Sequence, residues 1–348
     1  MPRFLLLLLS IFFLSASVYS QENDSVLYGE FLKDKAKFQS FESKHRKSVQ
    51  TKNHRISYLK WGENKGKVFV WLPGSLLSAY DFYPFAEDLV NQGYCVLSID
   101  HYGHGLTEIP TGDLDFWNFA DDLAHLLKHE KVNQTVIAGF SRGAYLATAF
   151  YQKYPEMVRA IILEEGGSVS FKGMFDEMEQ GKLDEFLLSV EIPDDLKELL
   201  FAAYGSDFEI YKNIKSLEDS DSLWQSFGFM KQKEKQWILY KGLNEYMHMQ
   251  DSLHYLQVLN SPGSISKYAA SMVKIDPLRI YAELDVPLLI IEAKGPDDLF
   301  DTSKGNNDLK NLHRDLIQLK VFDCDSHNLH FACPDHFKET LKIFLQEL

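Results

Sequence analysis

The stretch Val136-Ile137-Ala138-Gly139-Phe140-Ser141-Arg142-Gly143-Ala144 restricts the fold more than any other part of the chain. A run of β-branched and small apolar residues, suited to a buried strand, breaks into Gly-x-Ser-x-Gly. It is followed by small and apolar residues at helical spacing, Ala144, Ala147 and Phe150. A strand turning sharply into a helix brings backbone against backbone, and two glycines around a serine remove the Cβ atoms that would collide there. The serine is left on a strained turn at the sheet's edge, beside the free N–H groups and positive dipole end of a helix. Alone, such a string also fits a loop around a buried serine, so the rest of the chain has to decide.

The surrounding pattern is a strict alternation of strand and helix. Strand-like runs occupy residues 54–61, 68–72, 94–99, the run from Val136, and 160–165. Helical runs occupy 80–91, closed by Gly93, then 114–128, with Asp113 placed to cap it, and the segment from Ser141 to Tyr151. Continuous apolar strands joined by helices imply a parallel sheet covered on both faces. The alternation stops at Gly166-Gly167. Residues 167–276 show no strand pattern, but they are rich in aromatics and carry helical runs at 194–204, closed by Gly205, and 233–246. Helix at 277–283, strand at 287–293, helix at 308–314, strand at 317–324 and a last helix from Pro334 complete the alternation. The expected organisation is therefore a leader (1–20), a first part of an α/β core (21–166), an inserted helical unit (167–276) and a second part of the core (277–348).

Composition bounds the partners. The 348 residues, 45% hydrophobic, suffice for a large core, and 36 basic against 50 acidic residues give a net charge of −14. That balance argues against nucleic acid or an anionic membrane, both of which select a basic footprint. Residues 1–20 carry Arg3, an apolar run from Phe4 to Leu14 and then Val18-Tyr19-Ser20, the layout of a cleaved signal peptide. The run falls short of the ~18–20 residues a bilayer span needs, so the mature chain is expected to be secreted or periplasmic, with no membrane span. Residues 21–50 read as a polar tail without a role. Of three cysteines, Cys95 lies within an apolar strand as a buried free thiol, while Cys324 and Cys333 flank His327 and are free to pair.

In an open parallel sheet the chemistry gathers at the carboxyl ends of the strands. Four strand ends carry suitable groups: Ser141; Glu292-Ala293-Lys294-Gly295-Pro296-Asp297-Asp298; Asp325-Ser326-His327; and Pro73-Gly74-Ser75. The order serine, carboxylate, histidine suffices for acyl transfer. A histidine takes the serine proton and returns it to the leaving group, while a carboxylate fixes its tautomer. Backbone N–H groups of Ser75 and Arg142 make a two-donor oxyanion hole.

With these pieces together the chain resembles the α/β-hydrolase superfamily over nearly all of residues 53–348. The resemblance rests on the elbow Gly139–Gly143, the Asp100-x-x-Gly103-x-Gly105 loop, the acidic loop after the seventh strand, and His327-Asn328-Leu329-His330 followed by Pro334. It implies a mostly parallel eight-stranded sheet with helices on both faces and an inserted helical cap. It also implies roles: Ser141 as nucleophile, His327 as base, Asp298 as acid with Asp297 as the alternative, and Ser75 and Arg142 as backbone donors. No cofactor is needed and the partner is a small acyl substrate. Many members have His-Gly where this chain has Pro73-Gly74. Glu165, after the sixth strand, is a third candidate for the acid, a position that a minority of such folds use, but it reads as a rim charge; the Arg142 side chain reads as a surface group and the Ser75 side chain as dispensable. His101 and His104 read as parts of a turn rather than metal ligands, and the spacing of His248 and His254 does not put them on one helical face. The expected activity is a serine hydrolase acting on a carboxylic ester. An aminopeptidase or carbon–carbon bond hydrolase, or a receptor that keeps the fold as a ligand pocket, are the alternatives.

Overall fold

The computed structural model describes residues 21–217, 220–249, 251–294, 302–324 and 326–348. The expected leader and both Asp297 and Asp298 lie outside the described residues. A long helix α1 (Gln21–His45) leads into β1 (Arg46–Gln50) and β2 (Arg55–Trp61). Strand and helix then alternate through β3 (Val68–Leu72), α2 (Tyr83–Asn91), β4 (Cys95–Asp100), α3 (Phe116–His129), β5 (Thr135–Phe140), α4 (Arg142–Lys153) and β6 (Val158–Glu164). A helix-rich insertion follows. It contains α5 (Phe171–Asp176), α6 (Gln180–Ser189), α7 (Asp194–Phe201), β7 (Ala203–Tyr204), α8 (Asp207–Leu217), β8 (Lys231–Lys233), β9 (Gln236–Ile238), α9 (Leu243–Met247), α10 (Ser252–Asn260) and α11 (Lys267–Lys274). The chain returns through α12 (Pro277–Ile280), β10 (Leu288–Ala293), α13 (Ser303–Leu312), β11 (Ile317–Phe322), α14 (Leu329–Ala332) and α15 (Pro334–Gln346).

The main sheet has eight strands in the order β1-β2-β4-β3-β5-β6-β10-β11. β1–β2 and β2–β4 pair antiparallel and the rest parallel. Every residue of β3, β4 and β5 is buried, which explains why, apart from Ser98, Asp100 and Thr135, their sequences are apolar: each face of the sheet has its own core. Val70, Leu72, Ile137 and Leu163 pack with α3 and α4 on one side, and Phe69, Trp71, Val136 and Ala138 pack with α2 and α15 on the other. In register, Leu72 stands beside Gly139 and Gly139 beside Leu163, so the carboxyl ends of β3, β5 and β6 finish side by side.

Three local expectations are corrected. Residues 21–50 are not a tail: α1 packs a narrow apolar stripe against both the insertion and the core. Phe31 meets Phe208 and Tyr211 (ring centroids 5.1 and 5.5 Å apart), and Phe41 meets Tyr80 and Trp224 (5.5 and 5.1 Å). The Tyr211 hydroxyl donates to Asp34 over 2.8 Å. Outside the stripe α1 is mostly polar but also exposes Val26, Tyr28 and Leu32, so the stripe barely registers as a period in the sequence. The cap of α3 is Asp115, not Asp113: its carboxylate accepts from the Asn118 N–H (2.8 Å) and the Asn118 amide oxygen accepts from the Asp115 N–H (3.1 Å). Asp113 instead accepts from the Lys267 N–H at the start of α11 (2.7 Å). Finally, the insertion holds a small antiparallel sheet in the order β7-β9-β8. Glu234 turns the chain in the left-handed region (φ 58°), which prevents a helix over 233–246, and pairing of Tyr204 with Trp237 ends the preceding helix at Phe201.

Candidate active site

Ser141 sits between β5 and α4 with φ 50° and ψ −119°, a conformation that costs on the order of 1–3 kcal/mol for a residue with a Cβ. The surroundings impose it. The Ser141 N–H donates to the Glu164 carbonyl (2.8 Å), and the Ser141 carbonyl accepts from the Ala144 N–H (3.0 Å). A Cβ on Gly139 would lie 2.7 Å from the Ala144 nitrogen, one on Gly143 would overlap the Leu72 carbonyl, and one on Gly166 would lie 2.7 Å from the Ser141 carbonyl oxygen. The elbow is thus clamped between the ends of β3 and β6. Gly166 belongs to the clamp although it stands outside the motif.

His327 lies on the link between β11 and α14, spanned by a disulfide between Cys324 and Cys333. Its Nδ1 is 3.2 Å from Oε2 of Glu165, whose side chain is only 2% exposed. Glu165 is therefore not a rim charge. It follows β6 directly with φ 51°, and its Oε1 accepts the Ala293 N–H at the end of β10 (2.5 Å), so the carboxylate is fixed at both oxygens. Ser75, Ser141, Arg142, Glu165 and His327 line one narrow cavity that opens to solvent. The insertion supplies its apolar wall through Phe171, Met174, Met249, Tyr255 and Met272.

Two side chains expected to be passive are part of this wall. Arg142 is 2% exposed, not a surface residue. Its Nε donates to the Ser75 Oγ over 2.9 Å and its Nη2 lies against the Met249 sulfur. Its guanidinium carbon is 6.0 Å from the centre of the Phe116 ring and 5.7 Å from that of Tyr268. Burial lowers its pKa from the ordinary arginine value, and the neighbouring tyrosines oppose that shift. The Ser75 hydroxyl is accordingly an anchor for Arg142 as well as the side chain of a proposed backbone donor.

Two buried histidines brace the strand ends. His101 lies between the Pro73 carbonyl (Nε2, 3.1 Å) and the Tyr268 hydroxyl (Nδ1, 2.6 Å). Burial, and secondarily the Arg142 charge, pushes its pKa down to about 3, so the ring is neutral. The pair of partners then fixes the tautomer: Nε2–H donates to Pro73, and Nδ1 accepts from Tyr268. This holds the Pro73-Gly74-Ser75 loop, and Tyr268 on α11 ties the insertion to it. His330 lies between Glu164 (Nδ1, 2.8 Å) and Asp81 (Nε2, 2.9 Å), all three fully buried. Burial disfavours its charge, but the two carboxylates override this and raise its pKa to about 10. Asp81 also accepts from the Trp71 indole N–H (2.9 Å). The sequence offered a signal for both in the polar residues embedded in apolar strand ends, yet neither partner is near its histidine in the chain.

Among the described residues, no three His, Cys, Asp or Glu side chains gather as metal ligands. His248 and His254 do meet, with ring centroids 4.8 Å apart, because α9 ends at His248 in a left-handed turn (φ 51°) before α10 begins. The helical spacing argument that separated them does not apply across that break.

A mostly parallel eight-stranded sheet with a strained Gly-x-Ser-x-Gly elbow at its carboxyl edge defines the α/β-hydrolase fold, and this chain adopts that fold. A family model described as alpha/beta hydrolase fold matches residues 67–188. Proline iminopeptidase of Saccharolobus solfataricus is 24% identical over 294 residues, 82% of this chain and 86% of that protein. The 2-(acetamidomethylene)succinate hydrolase of Mesorhizobium japonicum is 25% identical over 100 residues, 29% of this chain, and the match spans only 36% of that relative's length. Among solved structures, an esterase from Exiguobacterium antarcticum superposes with a TM-score of 0.57 at 18% identity, covering 86% of this chain and 98% of the esterase.

Proposed function

We propose that this chain is an exported serine hydrolase that cleaves a carboxylic ester or related acyl bond through an acyl-enzyme on Ser141. The observation that carries the reading is the shared cavity: a serine held at positive φ at a helix N-terminus, and a histidine whose Nδ1 is 3.2 Å from a buried carboxylate. In this reading His327 Nε2 takes the Ser141 proton as Oγ attacks the carbonyl carbon. The Ser75 and Arg142 backbone N–H groups receive the oxyanion, and the imidazolium then protonates the leaving oxygen. Water repeats the sequence to release the acid. The sequence pattern supports Asp298, with Asp297 as the alternative, as the carboxylate that orients His327, whereas the 3.2 Å contact supports Glu165.

Hydrolases among the relatives and the esterase among similar folds support hydrolysis as the reaction class. The long match to proline iminopeptidase favours an aminopeptidase as second reading. Against it stands the buried Arg142 cation in the pocket wall, which would repel a substrate ammonium. The disulfide fits export to an oxidising compartment and agrees with the signal-peptide reading of residues 1–20. The test is labelling with a fluorophosphonate, the adduct mapped by mass spectrometry beside a Ser141→Ala control. An adduct confined to Ser141 is expected. Folded protein that does not label would remove the hydrolase reading and leave a ligand-binding protein on a hydrolase fold.

A further inference from the structure

We propose that the Arg142 guanidinium binds a free carboxylate of the substrate, so that the compound hydrolysed is a small acyl compound bearing a carboxylate a few bonds from the scissile carbonyl. The proposal rests on the hydrolase reading for its chemistry, but on separate observations for the anion.

A guanidinium carries five N–H donors and a charge that stays on at any ordinary pH. Burying it costs several kcal/mol unless a counter-charge and acceptors replace water. At Arg142 the replacement is incomplete. No carboxylate among the described residues pairs with it. Its two acceptors are a serine hydroxyl and a thioether, the latter a weak one, while buried Nη1 has no acceptor. The faces of Phe116 and Tyr268 contribute cation–π attraction, which leaves the in-plane N–H groups unserved. Glu165, whose carboxylate also lines the cavity, is committed to His327 and to the Ala293 N–H.

The position gives this unfilled capacity a use. Arg142 is the residue after Ser141, and its Nε is fixed by Ser75, so the guanidinium is held in the wall of the cavity that contains the serine. A ligand carboxylate meeting it would accept charge-assisted hydrogen bonds in a site walled by methionine and aromatic side chains, where such bonds are strong. The neutral His101 beside it brings no competing positive charge.

The test compares ethyl butanoate with three anionic esters on the full chain, by pH-stat: monoethyl succinate, monoethyl glutarate and carboxymethyl butanoate. The first two carry the carboxylate on the acyl side and the third on the alcohol side. At least one anionic ester is expected to exceed ethyl butanoate about thirtyfold in kcat/KM, equivalent to about 2 kcal/mol and within the range of a hydrogen bond to a charged group. The ratio should fall to near one in Arg142→Met, and partly in Arg142→Lys, which keeps the charge without the planar fork. Ser75→Ala should raise KM for the anionic ester more than it lowers kcat. Wild-type protein that hydrolyses ethyl butanoate as well as all three anionic esters overturns the proposal. If no ester is turned over and Ser141 does not label, the hydrolase reading fails by itself. Calorimetry of monomethyl succinate against methyl butanoate then decides the anion site. Heat that requires both the carboxylate and Arg142 supports it, and equal titrations overturn it. Should Arg142→Met not fold by circular dichroism, Arg142→Lys and the wild-type ratio carry the decision.

Discussion

Replacing Glu165 by glutamine asks which carboxylate orients His327. In the wild type, Oε1 of Glu165 is occupied by the Ala293 N–H at 2.5 Å, so Oε2 is the oxygen that faces Nδ1 at 3.2 Å. In Glu165→Gln the backbone donor keeps the amide oxygen and turns the NH₂ toward His327. Nδ1 must then accept, which places the ring proton on Nε2, the wrong nitrogen for a base directed at Ser141. The lost charge acts in the same direction. A carboxylate 3.2 Å from an imidazolium contributes about 5 kcal/mol at an effective dielectric of 20, and the corresponding substitution in serine triads lowers kcat by about 10⁴. The expected loss in kcat is therefore about 10³ to 10⁴, with folding unchanged by circular dichroism and KM nearly constant. The assay is initial-rate hydrolysis of a short ester by Glu165→Gln, Asp298→Asn and Asp297→Asn in parallel. A loss under about tenfold in Glu165→Gln, beside a loss above a hundredfold in Asp298→Asn or Asp297→Asn, refutes the role given to the 3.2 Å contact and returns the acid to the loop after β10.

Gly143→Ala should prevent accumulation of active protein, because its Cβ overlaps the Leu72 carbonyl and neither β3 nor the elbow has room to shift; soluble yield and urea midpoint check this. His330 titrates at about 10 when folded and near 6.5 when unfolded, so its contribution is fully present below pH 6.5 and is lost as pH rises through 10. The wild-type urea midpoint should fall across that window, and a flat profile identical to that of His330→Gln would contradict the buried ion network. Removing the disulfide by Cys324→Ser with Cys333→Ser, which opens a sequence separation of 9, should cost about 2–3 kcal/mol and lower activity, since His327 lies inside the closed loop; unchanged kinetics would show that the loop holds the histidine without it. Cys95, buried and with its pKa raised to about 11, should resist iodoacetamide in the native protein and react once unfolded.

The sheet was legible in the sequence because a strand buried on both faces cannot alternate: Val68–Leu72 and residues 136–140 are apolar throughout, a pattern that fits a sheet covered by helices on each side. The elbow was legible because its geometry is local, since Gly139, Ser141 and Gly143 lie within five residues and collide only with chain immediately adjacent or one strand away. Position in the sequence also marked His327 as a group at a strand end. Helix α1 was not legible, since its stripe of Leu27, Phe31, Phe38 and Phe41 gains meaning only when Phe208, Tyr80 and Trp224 arrive from distant segments. Nor were the pairings of His327 with Glu165, His101 with Tyr268, or His330 with Asp81, each separated by more than 150 residues. A side chain's charge state and partners are fixed by whatever the fold brings beside it. By itself the sequence determined the strand order along the chain, the strained turn and the identity of its serine. Only the tertiary structure decided that Glu165 is buried against a histidine and that Arg142 lines the cavity with no counter-charge among the described residues, because burial and electrostatics depend on every element packed around a group and not on its neighbours in the chain.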